Sequence, residues 1–228
     1  FDLTGNVVET GSAVHTFKPG DKVIALCRFG AYAEYVCTPA LAAVKIPEGI
    51  DPLDAVALST QYLTAYYAAS ELVKLHPGDK VLIQSGAGGL GQALIQFALY
   101  KKCILFSTAG SDEKIHLLQQ MGVHYPINYI KEDFQSVVMK HTNSQGVDVI
   151  FDGIGGASVR KGFKCLDTGG RIVCHGASVF ISRNLLSKIL CFLQFGFYHP
   201  VMLMMPSKSI LAINMLPLSE KKPAYIQQ

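Results

Sequence analysis

The stretch SGAGGLGQALIQFA, residues 85–98, decides how this chain is read. Its glycines at 86, 88 and 91 spell G-x-G-x-x-G. That spacing can arise by chance, so the flanks carry the argument. Before it, VLIQ at 81–84 follows the turn HPGDK and has the form of a short buried strand. After it, Leu90, Ala93, Leu94, Phe97 and Ala98 fall on one helical stripe, and Lys101 and Lys102 suit a helix C-terminus. Strand, glycine loop and helix together are the setting in which such a loop binds a dinucleotide. The first glycine permits a tight turn, the second lets the backbone approach the pyrophosphate, and the third lets helix and strand pack closely. Amides at the helix N-terminus then face the phosphates. The competing reading is an ordinary glycine-rich turn.

The alternation continues outward. CILFS at 103–107 is a second strand, followed by a helix over 112–121, a strand over 126–128, a helix over 133–141 and a strand over 147–152. A helix over 158–166 and the turn DTGG precede a strand at 171–175. Strands and helices in alternation predict an α/β fold, a Rossmann-type doubly wound parallel sheet covered on both faces. The first fifty residues differ. Apolar runs at 6–9 and 22–26 and an alternating stretch at 32–36 read as short strands, punctuated by TG and KPGD. IPEGIDP reads as a linker, and 54–74 turns helical. These patterns predict a partial β-rich domain over 1–53 and a dinucleotide-binding domain over 54–228.

Composition narrows the function classes. Half of the 228 residues are hydrophobic, so a sizeable core can be buried. Twenty basic residues against 17 acidic ones leave +3, and the basic residues are scattered, which argues against a nucleic-acid partner. The six cysteines stand at 27, 37, 103, 165, 174 and 191, with no C-x-x-C among them. Neither a zinc knuckle nor a redox pair is signalled, and unpaired thiols with no signal-peptide pattern suit a cytoplasmic protein. The apolar segment 185–205 carries Lys188, Gln194, His199 and Pro200 and makes a poor membrane span. It reads first as a buried helix. A cover for a hydrophobic ligand, a homodimer surface and a peripheral membrane face are the alternatives. The chain starts at Phe1 in the manner of a strand, and KKPAYIQQ reads like an opening helix. Both ends suggest a fragment of a longer protein.

The second strand speaks to the cofactor. NAD-binding loops usually place an acid about 20 residues on, where it holds the ribose 2′-hydroxyl. Here the strand ends FSTAGSDEK, with Ser107 and Thr108 at its tip and neither acidic. Ser111 and Lys114 follow, suited to a phosphate by hydroxyl donation and positive charge. That favours NADPH. The plainer alternative makes Ser111 a helix cap and Lys114 a solvated side chain. Asp112 could hold the ribose of NAD, but a first-turn acid also answers the helix dipole.

The motifs VETGSAVHTFKPGDKVIAL, GAYAEYVCTP, LTAYYA, SGAGGLG, STAGSDEK and GGRIVCHGAS occur in this order. With them the chain resembles a medium-chain dehydrogenase/reductase of the zinc-less quinone oxidoreductase type, over nearly its whole length. YLTAYYA after ALSTQ and HPVMLMMPSKSILAINML are most similar to the vesicle amine transport protein homologues. The resemblance implies that the β-rich part is GroES-like, and that the return to it at the C-terminus is missing. It assigns Gly86, Gly88, Gly89, Leu90 and Gly91 to the phosphate loop, and Ser111 and Lys114 to the 2′-phosphate. Tyr129 would stand beside the adenosine phosphate and Thr64 near the nicotinamide. Gly155, Gly176 and Ser178 would flank the ribose and nicotinamide, with Asn214 nearby. Each of the later residues also has an ordinary packing or capping role open to it.

Zinc-dependent relatives carry His-Glu where this chain has Phe1-Asp2, and Cys where it has Thr60. A catalytic zinc needs about three protein ligands, so the resemblance implies no zinc. Without a metal, a conjugated acceptor such as a quinone or an enone is the substrate expected. Hydride addition leaves a charge that hydrogen-bond donors can hold. Tyr32 and Tyr62 are candidate donors. An enoyl-thioester reductase, or a non-catalytic NADP-binding or membrane-associated protein on the same fold, is the alternative.

Overall fold

The computed structural model describes residues 1–180 and 184–221. The chain forms two compact units, Phe1–Thr64 with Asn214–Gln228, and Ala65–Ile213. They divide at Thr64, past the 53/54 boundary drawn from the sequence, and the segment from Asn214 groups with the first unit. The opening-helix pattern over 222–228 lies outside the described residues.

The first unit holds β1 (Asp2–Asn6), β2 (Lys22–Leu26) and β3 (Ala43–Lys45) in an antiparallel sheet of order β1-β2-β3. The strand read at 6–9 lies earlier, because the ladder pairs Asp2 with Leu26 and closes at Asn6 against Lys22. In β2, Val23 and Ala25 point inward and are buried, the period of two that a half-buried strand requires. The alternation at 32–36 forms no strand. Tyr32 and Tyr35 are exposed, so the pattern has no buried face to serve. Helix α1 (Pro52–Tyr66) opens with Asp51, whose Oδ1 accepts from Leu53 N at 2.7 Å.

The second unit begins with a π-helical turn, Tyr67–Leu72, in the segment read as one helix to residue 74. Its strands are β4 (Lys80–Ile83), β5 (Ile104–Ala109), β6 (Tyr125–Asn128), β7 (Val147–Asp152), β8 (Leu166–Cys174) and β9 (Ser209–Ala212). All pair in parallel, in the order β6-β5-β4-β7-β8-β9. Helices α2 (Gly89–Tyr100), α3 (Asp112–Gln120), α4 (Phe134–His141) and α5 (Ala157–Cys165) connect the first five of these strands. This is a Rossmann-type doubly wound sheet. Leu82, Phe106, Ile150 and Ile172 are wholly buried at its centre. Strands covered on both faces read as continuous apolar runs, which is why 81–84 and 147–152 were legible. The chain winds one way from β4 to β5 and the other way to β7, so the sheet opens a crevice beyond the C-terminal end of β4.

Two expectations need correction. DTGG is not a turn before the strand but an irregularity within it. Leu166 to Cys174 is one strand whose register shifts between Val147 and Val149 of its partner, with Gly169 at φ 79°. Three extra residues on β8 between these two pairings bend the strand without ending it. Nor is 185–205 a buried helix. It forms α6 (Leu185–Gln194) and α7 (Pro200–Met204). Cys191 faces the interior, but Ile189, Leu190, Phe192 and Leu193 are half exposed or more, as are Met202 and Met205. The helical period turns Cys191 inward and its apolar neighbours outward.

The six cysteines are unpaired. Burial pushes the thiols of Cys103, Cys165 and Cys174 up to about 11; the carboxylates of Asp79 and Asp148 add to this at Cys103, and that of Asp152 at Cys174.

Candidate functional site

The glycine loop is tied to the end of β5 before it reaches any ligand. Gly86 N donates to Thr108 O at 3.0 Å and Ser85 N to Thr108 Oγ1 at 3.1 Å. Thr108 Oγ1 in turn donates to Gln84 Oε1 at 2.7 Å. Ser107 Oγ donates to Ile83 O at 3.0 Å. Ser107 and Thr108, read as the non-acidic tip of the second strand, are fully buried and spend their hydroxyls on the loop.

The three glycines answer to different constraints. None has a positive φ; the left-handed residue of the turn is Ser85, at φ 56°. Gly86 is required by contact, since a Cβ there would run into Ser107 Oγ and come within 3.1 Å of Ile95 Cδ1 and Leu118 Cδ2. A Cβ on Gly91 would lie 2.5 Å from Ser85 O and 2.7 Å from Gly86 Cα, so α2 packs on the loop backbone itself. Gly88 is different. Its Cβ would meet only Ser85 O, at 3.3 Å. Apart from that one tight contact, no other protein atom lies within 4 Å of the added Cβ, as suits a site of backbone approach to a phosphate. Gly88 is also the N-cap of α2 and offers no side-chain acceptor. The first-turn amides at Gly89, Leu90 and Gly91 therefore lack the capping partner that helix starts usually have. An anion fits that end.

Beyond β5, Ser111 caps α3, its Oγ accepting from Lys114 N at 3.3 Å. The capping alternative is thus real, yet the hydroxyl keeps its proton to donate. Lys114 is exposed. The Tyr129 ring lies on Gly110, where an added Cβ would collide with the phenol oxygen and come within 2.7 Å of Cζ. Tyr129 is half exposed and so offers a face at the same strand end. Asp112 is engaged elsewhere: Lys131 Nζ donates to both its oxygens, at 2.8 and 2.7 Å, and Asn128 Nδ2 to one, at 2.9 Å.

The ends of β7 and β8 form one packed layer. Asp152 is wholly buried and had not been singled out in the sequence. Its Oδ1 accepts from Ile154 N at 2.9 Å and Gly155 N at 2.8 Å, and its Oδ2 from Ser158 Oγ at 2.6 Å. His175 N donates to Asp152 O at 3.0 Å, and Ser178 N to Gly153 O at 3.2 Å. A Cβ on Gly176 would stand 2.8 Å from Gly153 O, and one on Gly155 2.7 Å from Phe195 Cζ. Gly155 takes φ 86°, which favours glycine. Gly155, Gly176 and Ser178 are thus brought together, with Phe195, just past α6, packed against Gly155. Burial holds the His175 imidazolium below its ordinary pKa, against the attraction of Asp152. A strand-end acid in FDGIGG was the available signal for Asp152.

Thr64 and Asn214 belong to the first unit. Thr64 is nearly buried and donates from Oγ1 to Thr60 O at 2.6 Å. Asn214 Oδ1 accepts from Leu216 N at 3.1 Å, opening α8 (Met215–Lys221). Tyr32 is fully exposed, and Tyr62 half-buried on α1.

Known proteins share this arrangement. The family model described as zinc-binding dehydrogenase matches residues 89–213, and the alcohol dehydrogenase GroES-like domain matches 1–48. The chain belongs to the medium-chain dehydrogenase/reductase superfamily. A 2-haloacrylate reductase of Burkholderia sp is 34% identical over 77% of this chain and 54% of the reductase. The human synaptic vesicle membrane protein VAT-1 homolog is 34% identical over 80% of this chain and 47% of that protein. The chain thus spans about half the length of each. The crystal structure of Escherichia coli quinone oxidoreductase complexed with NADPH matches with a TM-score of 0.84 at 23% identity, over 99% of this chain and 67% of that one, a likeness of fold. No described helix is long and apolar enough to cross a membrane.

The family description raises the question of zinc. The structure does bring the two ligand-bearing segments together, for Ser59 Oγ donates to Asp2 Oδ2 at 2.8 Å. Burial works to raise the Asp2 carboxyl, but the Ser59 hydrogen bond and the nearby Thr60 hydroxyl outweigh it and hold the group below its ordinary pKa. Phe1 has no donor atom, and Thr60 is an alcohol where a thiolate would be needed. Among the described residues no three His, Cys, Asp or Glu side chains cluster to hold a metal. These residues do not fit a catalytic zinc. Elemental analysis after dialysis should find far less than one zinc per chain; a stoichiometric, chelator-resistant zinc would contradict this.

Proposed function

We propose that this chain is the core of an NADPH-dependent, zinc-independent oxidoreductase acting on a quinone or an α,β-unsaturated carbonyl. The observation that carries the reading is the α2 N-terminus at the switch point of the sheet, with no side chain capping it and no acid in the tip Ser107–Ala109 of β5. The family relation to a reductase of a conjugated acid supports it. So does the NADPH held by a quinone oxidoreductase of the same fold. Gly86, Gly88, Gly89, Leu90 and Gly91 would cradle the pyrophosphate. Ser111, Lys114 and Tyr129 would hold the 2′-phosphate and the adenosine side. Gly155, Gly176 and Ser178 would flank the nicotinamide ribose. The bound dinucleotide supplies the hydride. The protein's part is to fix the face of the nicotinamide and to keep water from it. The exposed backbone at Gly176 and Ser178, beside the loop pinned by Asp152, supports that reading. A cytoplasmic setting, with its six unpaired thiols kept reduced, belongs to the same reading. The exposed apolar face of α6 and α7 is where a second copy or a bilayer surface would meet it.

The assay is loss of NADPH absorbance with a panel of quinones and enones, using the full-length protein. Gly88→Leu fills the space at the loop and serves as control. Turnover with at least one acceptor, abolished in that variant, is the expected result. A wild type that binds NADPH yet oxidises it no faster than the control with every acceptor would leave a binding protein in its place.

A further inference from the structure

Asp112 and Glu113 are the acids in the first turn of α3, and Asp112, the one beside Ser111, is engaged by the fold. It opens α3 next to Ser111, two residues before Lys114. Its carboxylate takes three hydrogen bonds, two from Lys131 and one from Asn128. Asn128 ends β6 and is nearly buried, and its own Oδ1 accepts from Ile130 N at 3.1 Å. The amide therefore has little freedom and aims its N–H at Asp112. Lys131 and Asp112 remain 62% and 72% exposed. A pair so exposed adds little to stability. Its position matters more. It stands beside the cap residue of the helix that follows β5, where a dinucleotide fold reads the ribose 2′ substituent.

We propose that Lys131, with Asn128, sets the cofactor preference by neutralising Asp112 and turning it toward β6. Lys131 is a positioning residue, acting through Asp112 and not by touching the phosphate. With the clamp closed, Asp112 no longer offsets Lys114, and a 2′-phosphate is attracted. With Lys131 gone, Asp112 cancels Lys114 and is free to accept the 2′-hydroxyl of NADH. The proposal rests on the NADPH reading above and adds the residue pair that enforces it.

The test measures Kd for NADPH and NADH on the full-length protein by nucleotide fluorescence, at low and at moderate salt. Lys131→Met should weaken NADPH roughly five- to tenfold, the scale of one unit charge met at close range in water. NADH should be unchanged or tighter. The melting temperature should hold. Adding Asp112→Asn to Lys131→Met should restore the wild-type ratio, because no acid is then left to neutralise. Equal weakening of both cofactors would make the pair merely structural, and a double variant still poor in NADPH would make Lys131 a direct phosphate ligand; either result overturns the proposal. A wild type with no preference would refute the NADPH reading itself. Even then Lys131→Met must tilt the ratio toward NADH, and a ratio that stays fixed defeats the clamp separately.

Discussion

Gly91→Ala is expected to destabilise the second unit by about 3 kcal/mol, at the upper end of what overpacking usually costs. Its Cβ would press on Ser85 O and Gly86 Cα, both backbone, with no flexible side chain to move aside. Relief has to come from α2 sliding off the loop. Dinucleotide affinity should therefore fall at least about a hundredfold, a loss near 2.7 kcal/mol. Gly88→Ala supplies the contrast. Gly88 has φ −76°, an ordinary value for alanine, and little around it. That variant should keep its stability to within about 0.5 kcal/mol and still bind the dinucleotide more weakly. Urea unfolding and equilibrium binding measured on both variants separate the two roles. If Gly88→Ala unfolded as readily as Gly91→Ala, the assignment of one glycine to packing and the other to ligand approach would be wrong.

Asp152→Ala should be the more damaging change to the other half of the crevice. It strands two backbone amides and the Ser158 hydroxyl around a position that is itself wholly buried. Hydrogen bonds to a charged group are each worth about 1.5–3 kcal/mol. A loss of about 4 kcal/mol is expected by chemical denaturation, most of the stability of a marginal domain. Asp152→Asn preserves the oxygen that Ile154 and Gly155 use and turns an amide toward Ser158 Oγ, which can accept. It should cost about 1 kcal/mol. Equal destabilisation by the two would show that the carboxylate's shape matters less than its charge.

The fold was legible because its strands are buried on both faces and its helices on one. VLIQ and the stripe from Leu90 to Ala98 could hardly be anything else. What escaped was set by pairing. The alternation at Tyr32 gives no hint that no partner strand waits for it, and DTGG looks like a turn until the strand is seen to continue through it. The exposed face of 185–205 was misjudged because composition cannot say whether an apolar helix is covered. At the candidate site the strand, glycine loop and helix follow one another as the sequence reads, but the reason for one glycine differs. Gly86 is needed for room beside Ser107, while the unusual backbone angle belongs to Ser85. Asp112 looked ambiguous since its partner, Lys131, lies on a different loop and meets it only in the folded sheet.

The raised thiols of Cys103, Cys165 and Cys174 turn the sheet into its own reporter of opening. With a pKa of about 11, each carries at pH 7.5 roughly one thiolate per three thousand molecules, and only the thiolate alkylates. Cys37 is exposed and sets the rate of an accessible thiol. Cys103 precedes β5, Cys165 ends α5 and Cys174 ends β8. Alkylation timed residue by residue therefore follows how often each of these places comes apart, and a dinucleotide clamped across the strand ends would slow the clock at Cys174 first.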